Sequence, residues 1–402
     1  MYKKPDFEPN RNEMLEILQS NIQPISRVET IPLTTAAGRV CAETICAKND
    51  LPNKPVSGCD GIAVRFADFI KGMPNTYSWT EGKEYCFSNT GVAIAETFDT
   101  VIPIEKVELD KEGKIRLLVV PSRCGEYVGA VGSHLKKGEV LIYKGEIITP
   151  ALMGILLSDG FMNIRVLAKP KVVFIPTGDE LVPAGFETPC EKNVESNSLM
   201  LKAYIEEYGA EAIIYPIIPD EFKKLQEAIF SAVQIADLVL ICAGSSKGSK
   251  DFTIDLLESL GKLTVYELGH GPGKHCSLTY FENIPIIGLP GPPNGADLVT
   301  TLYVKNTLSL MQMQPVQLPY TLEAIFTNDT NMYGLDFIDY AYVFIKKGQY
   351  YVRPVAMQGK TRAELYHAHN ARFYIKKQTA FKAGDVINVE MRLPKEYITE
   401  EE

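Results

Sequence analysis

Apolar residues at Met14, Leu15, Ile17, Leu18 and Ile22 recur with helical spacing, which predicts an amphipathic helix over residues 11–22. From about Val40 to Lys144 the pattern shortens to β-like runs broken by Gly, Pro and Asn, as in a β-rich unit. Thr149 and Pro150 then read as an N-cap and a proline at the first helical position, with a stop at Gly160. This second helix is expected to pack back on the first, making the β-rich unit an insertion. The block from Lys169 to about Met311 alternates regularly. Strands are predicted at Val172–Pro176, Ala212–Ile218 and Leu238–Cys242, with helices at Ser198–Tyr208, Glu221–Ile235 and onward from Phe252. Such alternation implies a mostly parallel sheet covered on both faces, with ligands beyond the carboxyl ends of its strands. The tail, about Pro315–Leu393, returns to short alternating runs and predicts a small β domain. The expected domains are 1–44 with 145–168, 45–144, 169–314 and 315–402.

The 402 residues exceed one typical core, in keeping with that division. A net charge of −9 argues against nucleic acid or an anionic membrane as the main partner, since both reward excess Lys and Arg. The N-terminus lacks a signal-peptide apolar region, and no apolar run approaches the roughly 20 residues of a membrane helix. Eight scattered cysteines without a C-x-x-C pair suit reduced thiols. These features predict a cytoplasmic protein.

Chemistry concentrates in Ala236–Asp251, ADLVLICAGSSKGSKD. There a buried strand ends at a glycine-rich loop before a helix, the arrangement in which backbone N–H groups and the helix dipole gather an oxyanion. Gly244 and Gly248 allow close approach, and Ser245, Ser246 and Ser249 add hydroxyl donors. Further polar clusters follow the other strands: Thr177-Gly178-Asp179-Glu180-Leu181, Asp220, Asp251, Gly271-Pro272-Gly273-Lys274 and Leu289-Pro290-Gly291. In a parallel sheet all of these converge at one edge. Carboxylates beside an oxyanion loop form a Mg²⁺-plus-phosphate arrangement, although Asp220 and Asp251 singly serve equally as helix caps. Asp60-Gly61 and Thr90-Gly91 alone read as turns. His367 and His369 are expected on one face of a strand, as surface histidines.

In order along nearly the whole chain, these pieces resemble the molybdopterin molybdenumtransferase family, the bacterial MoeA type and the C-terminal part of gephyrin. Leu51-Pro52 and Ser57-Gly58-Cys59-Asp60-Gly61-Ile62-Ala63-Val64-Arg65 look like the family's LP…SAMDGYAVR. Thr90-Gly91 through Val101 is similar to TGAPxPxGADAVV, and residues 177–181 are its TGDEL. Ser196-Asn197-Ser198 matches SNS, Ala243–Asp251 stands at GGVSxGxxD, and Pro272–Lys274 and Leu289–Gly291 match parts of KPGKP and LPGNP. The resemblance implies an elongated α/β plus β subunit. It would hold a three-layer α/β molybdopterin-binding domain, a β-rich inserted domain and a C-terminal β domain. It also implies a homodimer that inserts molybdate into adenylylated molybdopterin and releases AMP. Carried over residue by residue, Asp60, Thr90, Glu180, Asp220 and Asp251 are the catalytic candidates. The 243–249 loop, Gly273, Lys274, Pro290 and Gly291 would hold the pterin phosphate and nucleotide.

The departures cluster at the implied site. Gly129-Ala130-Val131-Gly132-Ser133-His134 stands where the family has Arg-Arg-x-Gly-Glu-Asp, so two guanidinium anchors are lost and His134 replaces an aspartate. His134 therefore joins Glu180, Asp220 and Asp251 as a candidate metal ligand. Ala243, Ser245, Gly271, His275 and Pro292 also depart from the motifs. Three readings follow: the transferase itself, a paralogue that binds pterin or nucleotide without turnover, or an enzyme whose His134 and Cys59 form a softer metal site.

Overall fold

The computed structural model describes residues 7–185, 191–243, 252–356 and 359–401, with the backbone alone at 243 and 252–255. It divides into two compact units, one made of residues 1–27 with 167–402 and the other of 28–166.

The chain opens with α1 (Arg11–Asn21), started by a capping box in which Asn10 accepts from Glu13 N–H while the Glu13 carboxylate accepts from Asn10 N–H. In the 28–166 unit, β1 (Val56–Ser57) is followed by β2 (Gly61–Val64), β3 (Tyr85–Ser88), β4 (Thr100–Pro103) and β5 (Val128–Gly129). Strand β2 is flanked by β3 and β4, and β1 pairs with β5, all antiparallel. Near the end of the unit lies α2 (Pro150–Ser158), capped by Thr149 with proline in its first turn, and Gly160 behind it has φ +83°. The two helices do not share a core. Met14, Leu15 and Leu18 of α1 lie in the core of the α/β sheet, whereas Leu156 of α2 packs with Leu33, Ala36, Ile142 and Val166. The expected packing of one helix on the other is thus replaced by docking of α1 on a distant part of the chain.

The α/β sheet contains β6 (Lys171–Ile175), β7 (Glu211–Ile214), β8 (Leu238–Ala243), β9 (Lys262–Val265), β10 (Ser277–Phe281) and β11 (Ile284–Pro290), in the order β7-β6-β8-β11-β10-β9. The first four are parallel, and β10 and β9 add antiparallel. Because strand side chains alternate, Val172, Phe174, Leu238 and Leu240 face one layer and Val173, Ile175, Val239 and Ile241 the other. Helices α3 (Asn197–Glu207) and α1 fill the first layer through Leu201, Ile205 and Leu18. Helices α4 (Phe222–Val233) and α5 (Phe252–Leu260) fill the second through Leu225, Ile229, Leu256 and Leu257. Strand β7 stops four residues before the expected Ile218. Pro216 offers no N–H to continue the ladder, and pairing resumes only at a Thr177–Ile218 bridge. Helix α6 (Pro293–Val299) follows β11.

The C-terminal strands, β12 (Thr321–Phe326), β13 (Asp336–Lys346), β14 (Gln349–Pro354), β15 (Ala371–Ile375) and β16 (Val386–Met391), close into a barrel. It closes because β13 pairs with both β14 and β15. Phe326, Val343, Val352, Phe373 and Val389 fill it. The histidine pair is not on a strand: His367 ends a helix, Arg362–Ala368, and His369 is its C-cap. A Thr361–Glu364 capping box starts that turn, so His369 points inward and its Nδ1 meets the Leu365 carbonyl at 2.6 Å.

Candidate functional site

Two polar clusters carry the described candidate residues, one in each unit. In the first, Thr177 follows β6 and donates its hydroxyl to the Cys242 carbonyl at 2.9 Å, tying together the ends of two parallel strands. Gly178 has φ +147°, and a Cβ there would lie 2.7 Å from Glu180 Oε1, so the turn folds the Glu180 carboxylate back over a glycine. Asp179 and Asp220 clasp across the same edge: Asp220 N–H donates to Asp179 Oδ1 at 3.1 Å, and Asp179 N–H reaches Asp220 Oδ2 at 3.4 Å. Asp179 and Glu180 are exposed and Asp220 is half-buried.

The cluster extends along the sheet edge through Asn197 at the start of α3. Its Nδ2 donates to the Gly291 carbonyl at 3.0 Å and lies 3.9 Å from Cys242 Sγ. Its Oδ1 is buried without a partner among the described residues. Burial raises the Cys242 thiol to about 12, so it stays protonated. Beyond Pro290 and Gly291, the glycine at 295 packs on Pro290 at one side and on Gly273 at the other. The turn from TGDEL to Gly273 is therefore continuous, and it brings together motifs more than 90 residues apart in sequence. Lys274 is ion-paired there, with Glu8 at 3.4 Å and Glu267 at 3.8 Å, and His275 Nδ1 meets Glu267 at 2.8 Å. Gly244, Ser245, Ser246, Gly248, Ser249 and Asp251 lie outside the described residues.

In the other unit Asp60 sits between two glycines that permit close strand approach. A Cβ at Gly61 would lie 2.1 Å from the Ile102 carbonyl oxygen, and one at Gly58 would lie 3.0 Å from that of Tyr127. The Asp60 carboxylate accepts from Thr90 N–H at 2.8 Å and Thr90 Oγ1–H at 3.0 Å. Those two donors hold it below the ordinary carboxylate range, so it is an acceptor at neutral pH, not an acid. His134 is an exposed residue of the same unit, whereas Glu180 and Asp220 belong to the other. Among the described residues no three His, Cys, Asp or Glu side chains are grouped to hold a metal ion.

Sequence reasoning put neither Asp179 nor Asn197 in the site, although both lie inside quoted motifs. The signal available was their position: Asp179 lies in the turn that follows β6, and Asn197 opens α3 at the same carboxyl edge of the sheet.

Residues 10–160 match a family described as the MoeA N-terminal region (domain I and II), and residues 173–309 match the probable molybdopterin binding domain. A molybdopterin molybdenumtransferase of Haemophilus influenzae is 29% identical over 396 residues, 94% of this chain and 96% of that protein. The chain belongs to the MoeA family. A second MoeA-family relative, the molybdopterin molybdenumtransferase of Staphylococcus epidermidis, is 26% identical across 89% of this chain and 90% of its own length. Two crystal structures of the molybdopterin biosynthesis MoeA protein from Pyrococcus horikoshii superpose with TM-scores of 0.78 and 0.75, at 25% and 26% identity. Each covers 96% of this chain and all of its own.

Proposed function

We propose that the chain is a molybdopterin molybdenumtransferase, inserting molybdate into adenylylated molybdopterin with release of AMP. The observation that carries this reading is the continuous edge from Thr177–Glu180 through Asp220, Asn197 and Gly291 to Gly273, in the segment that matches the family's molybdopterin-binding domain. AMP leaves when an oxygen nucleophile attacks a phosphorus of the diphosphate and the bridging oxygen departs with its electron pair. Backbone N–H groups at that edge and the Lys274 ammonium bind phosphate oxygens. Glu180 and Asp220, with Asp251, are the ligands for a Mg²⁺ that would neutralise charge on the diphosphate. Asp60, kept ionised by Thr90, orients a donor of the incoming substrate. His134 is left out of this metal set, because an exposed imidazole is a softer ligand than Mg²⁺ prefers.

The working assembly is a cytoplasmic homodimer in this reading. Among the described residues no helix is long and apolar enough to cross a membrane. Helix α2 supports self-association: PALMGILLS is almost wholly apolar, yet only Leu156 is buried, while Ile155 and Leu157 are 41% and 54% exposed. The test is AMP release from adenylylated molybdopterin by purified protein, with Mg²⁺ and with or without molybdate. Molybdate-stimulated release supports the transferase. Tight binding without release would replace it with the non-catalytic paralogue.

A further inference from the structure

One residue of the 28–166 unit has a backbone its side chain does not favour. Tyr127 has φ +55°, in the left-handed region where a bulky aromatic is an outlier. Its surroundings hold it there. The Gly58 N–H donates to its carbonyl at 2.8 Å, Val128 pairs with Ser57, and Glu126 closes the preceding turn by accepting from Ser122 N–H and Oγ–H. Burial does not explain the choice of tyrosine, since the residue is 51% exposed. Strain of this kind persists where the neighbourhood over-determines it, commonly beside a ligand.

Tyr127 lines a cavity of about 90 Å³ whose walls include Val101, Pro103, Val119 and Pro121, with one cation, Lys106, and one carboxylate, Glu126. Pro103 is the strand partner of Gly61, and the Asp60 backbone carbonyl accepts from the Ile104 N–H at 2.8 Å. The strained ring, the apolar walls and the Asp60–Thr90 pair are therefore one neighbourhood built on β1, β2, β4 and β5.

We propose that Tyr127 is a ring-binding residue of the Asp60 site, stacking on the planar nitrogen heterocycle of the substrate. A half-exposed aromatic face beside apolar walls suits a flat heterocycle. The Lys106 ammonium and the Asp60 carboxylate suit the anionic and N–H groups such a ring carries. Both the pterin and the adenine of the adenylylated substrate have this chemistry. The inference rests on the proposed function for the identity of that substrate.

Three variants and three measurements test it. Tyr127→Asn removes the ring and places a residue that tolerates the left-handed region, so it should fold, with an unfolding midpoint at or above the wild-type value. Its KM for adenylylated molybdopterin should rise about tenfold, the loss expected of one stacking contact, with kcat within twofold. Tyr127→Phe should restore the KM, and Tyr127→Gly should reproduce the loss. A KM for Tyr127→Asn within twofold of wild type, in a protein that turns over, overturns the ring-binding role and leaves the transferase reading intact. Absence of turnover by the wild type instead defeats the transferase reading. Calorimetric titration with AMP and with molybdopterin then decides the role of Tyr127. Tenfold weaker binding of AMP by Tyr127→Asn assigns the ring to adenine, and of molybdopterin to the pterin. Equal affinities, or no binding of either by the wild type, overturn the proposal.

Discussion

Replacing Asn197 with alanine separates a structural amide from one that serves a ligand. The side chain is 6% exposed and makes one good hydrogen bond, Nδ2 to the Gly291 carbonyl at 3.0 Å, and one long contact to Cys242 Sγ. A net contribution of about 1 kcal/mol is usual for the first, and the contact to sulfur adds little. Gly291 is exposed, so water can replace the lost donor and the orphan penalty is avoided. The buried Oδ1, without a partner among the described residues, already costs desolvation energy that the alanine variant no longer spends. Asn197→Ala should therefore lose only about 1 kcal/mol, a fall of roughly 3 °C in the unfolding midpoint. If Oδ1 is kept for a substrate donor, KM for adenylylated molybdopterin should rise at least tenfold in the same variant, because a hydrogen bond to the ligand is lost. Thermal unfolding and AMP-release kinetics on one preparation read both numbers. A loss above about 3 kcal/mol with an unchanged KM would refute the argument, since the amide would then be structural alone.

Other outcomes follow from particular contacts. Thr90→Val removes the hydroxyl donor to Asp60, so the Asp60 carboxylate should titrate closer to its ordinary value in a carbon-detected NMR titration; an unmoved titration would remove Thr90 from that role. His270, buried against the Tyr303 hydroxyl, is pushed down to about 4 by burial and by the nearby Arg11 guanidinium. Its folded value lies below the unfolded one, so its stability contribution is complete above about pH 6.5 and is lost as pH falls toward 4, on the order of 3 kcal/mol in total. Urea midpoints at pH 7 and pH 4.5 should differ less in His270→Phe than in wild type, and an identical difference would reject the assignment. Glu8→Gln should release Lys274 from one of its two carboxylates and tighten AMP binding about threefold at low salt, with the gain fading in 0.5 M NaCl; no gain at low salt would mean that Lys274 does not meet the ligand.

Local chemistry made most elements legible before any coordinates. The run KVVFI and the run LVLIC are apolar on both faces because their strands are covered on both sides. Thr149-Pro150 and Gly209 mark helix ends for reasons that need no tertiary context. What stayed hidden depends on partners far along the chain. The first helix looked like a mate for the second, yet its apolar stripe matches the sheet equally well, and the stripe does not name its partner. His367 and His369 alternate as a strand would, but the Thr361–Glu364 capping box upstream starts a helix there. In the site, the clasp of Asp179 with Asp220 and the reach of Asn197 to Gly291 join motifs whose separations carry no signal.

The docking of α1 sets the order in which the protein can be completed. Its buried face meets residues from Val172 to Met311, and Ile25 N–H donates to the Met311 carbonyl at 2.9 Å. The chain leaves this unit at Arg27 and rejoins it where Ala168 N–H donates to the Arg27 carbonyl at 2.9 Å. A ribosome adding about 5–20 residues per second leaves Met14, Leu15 and Leu18 without their core for tens of seconds, while the whole 28–166 unit emerges with its own partners at hand. The first helix to be synthesised is among the last to be buried.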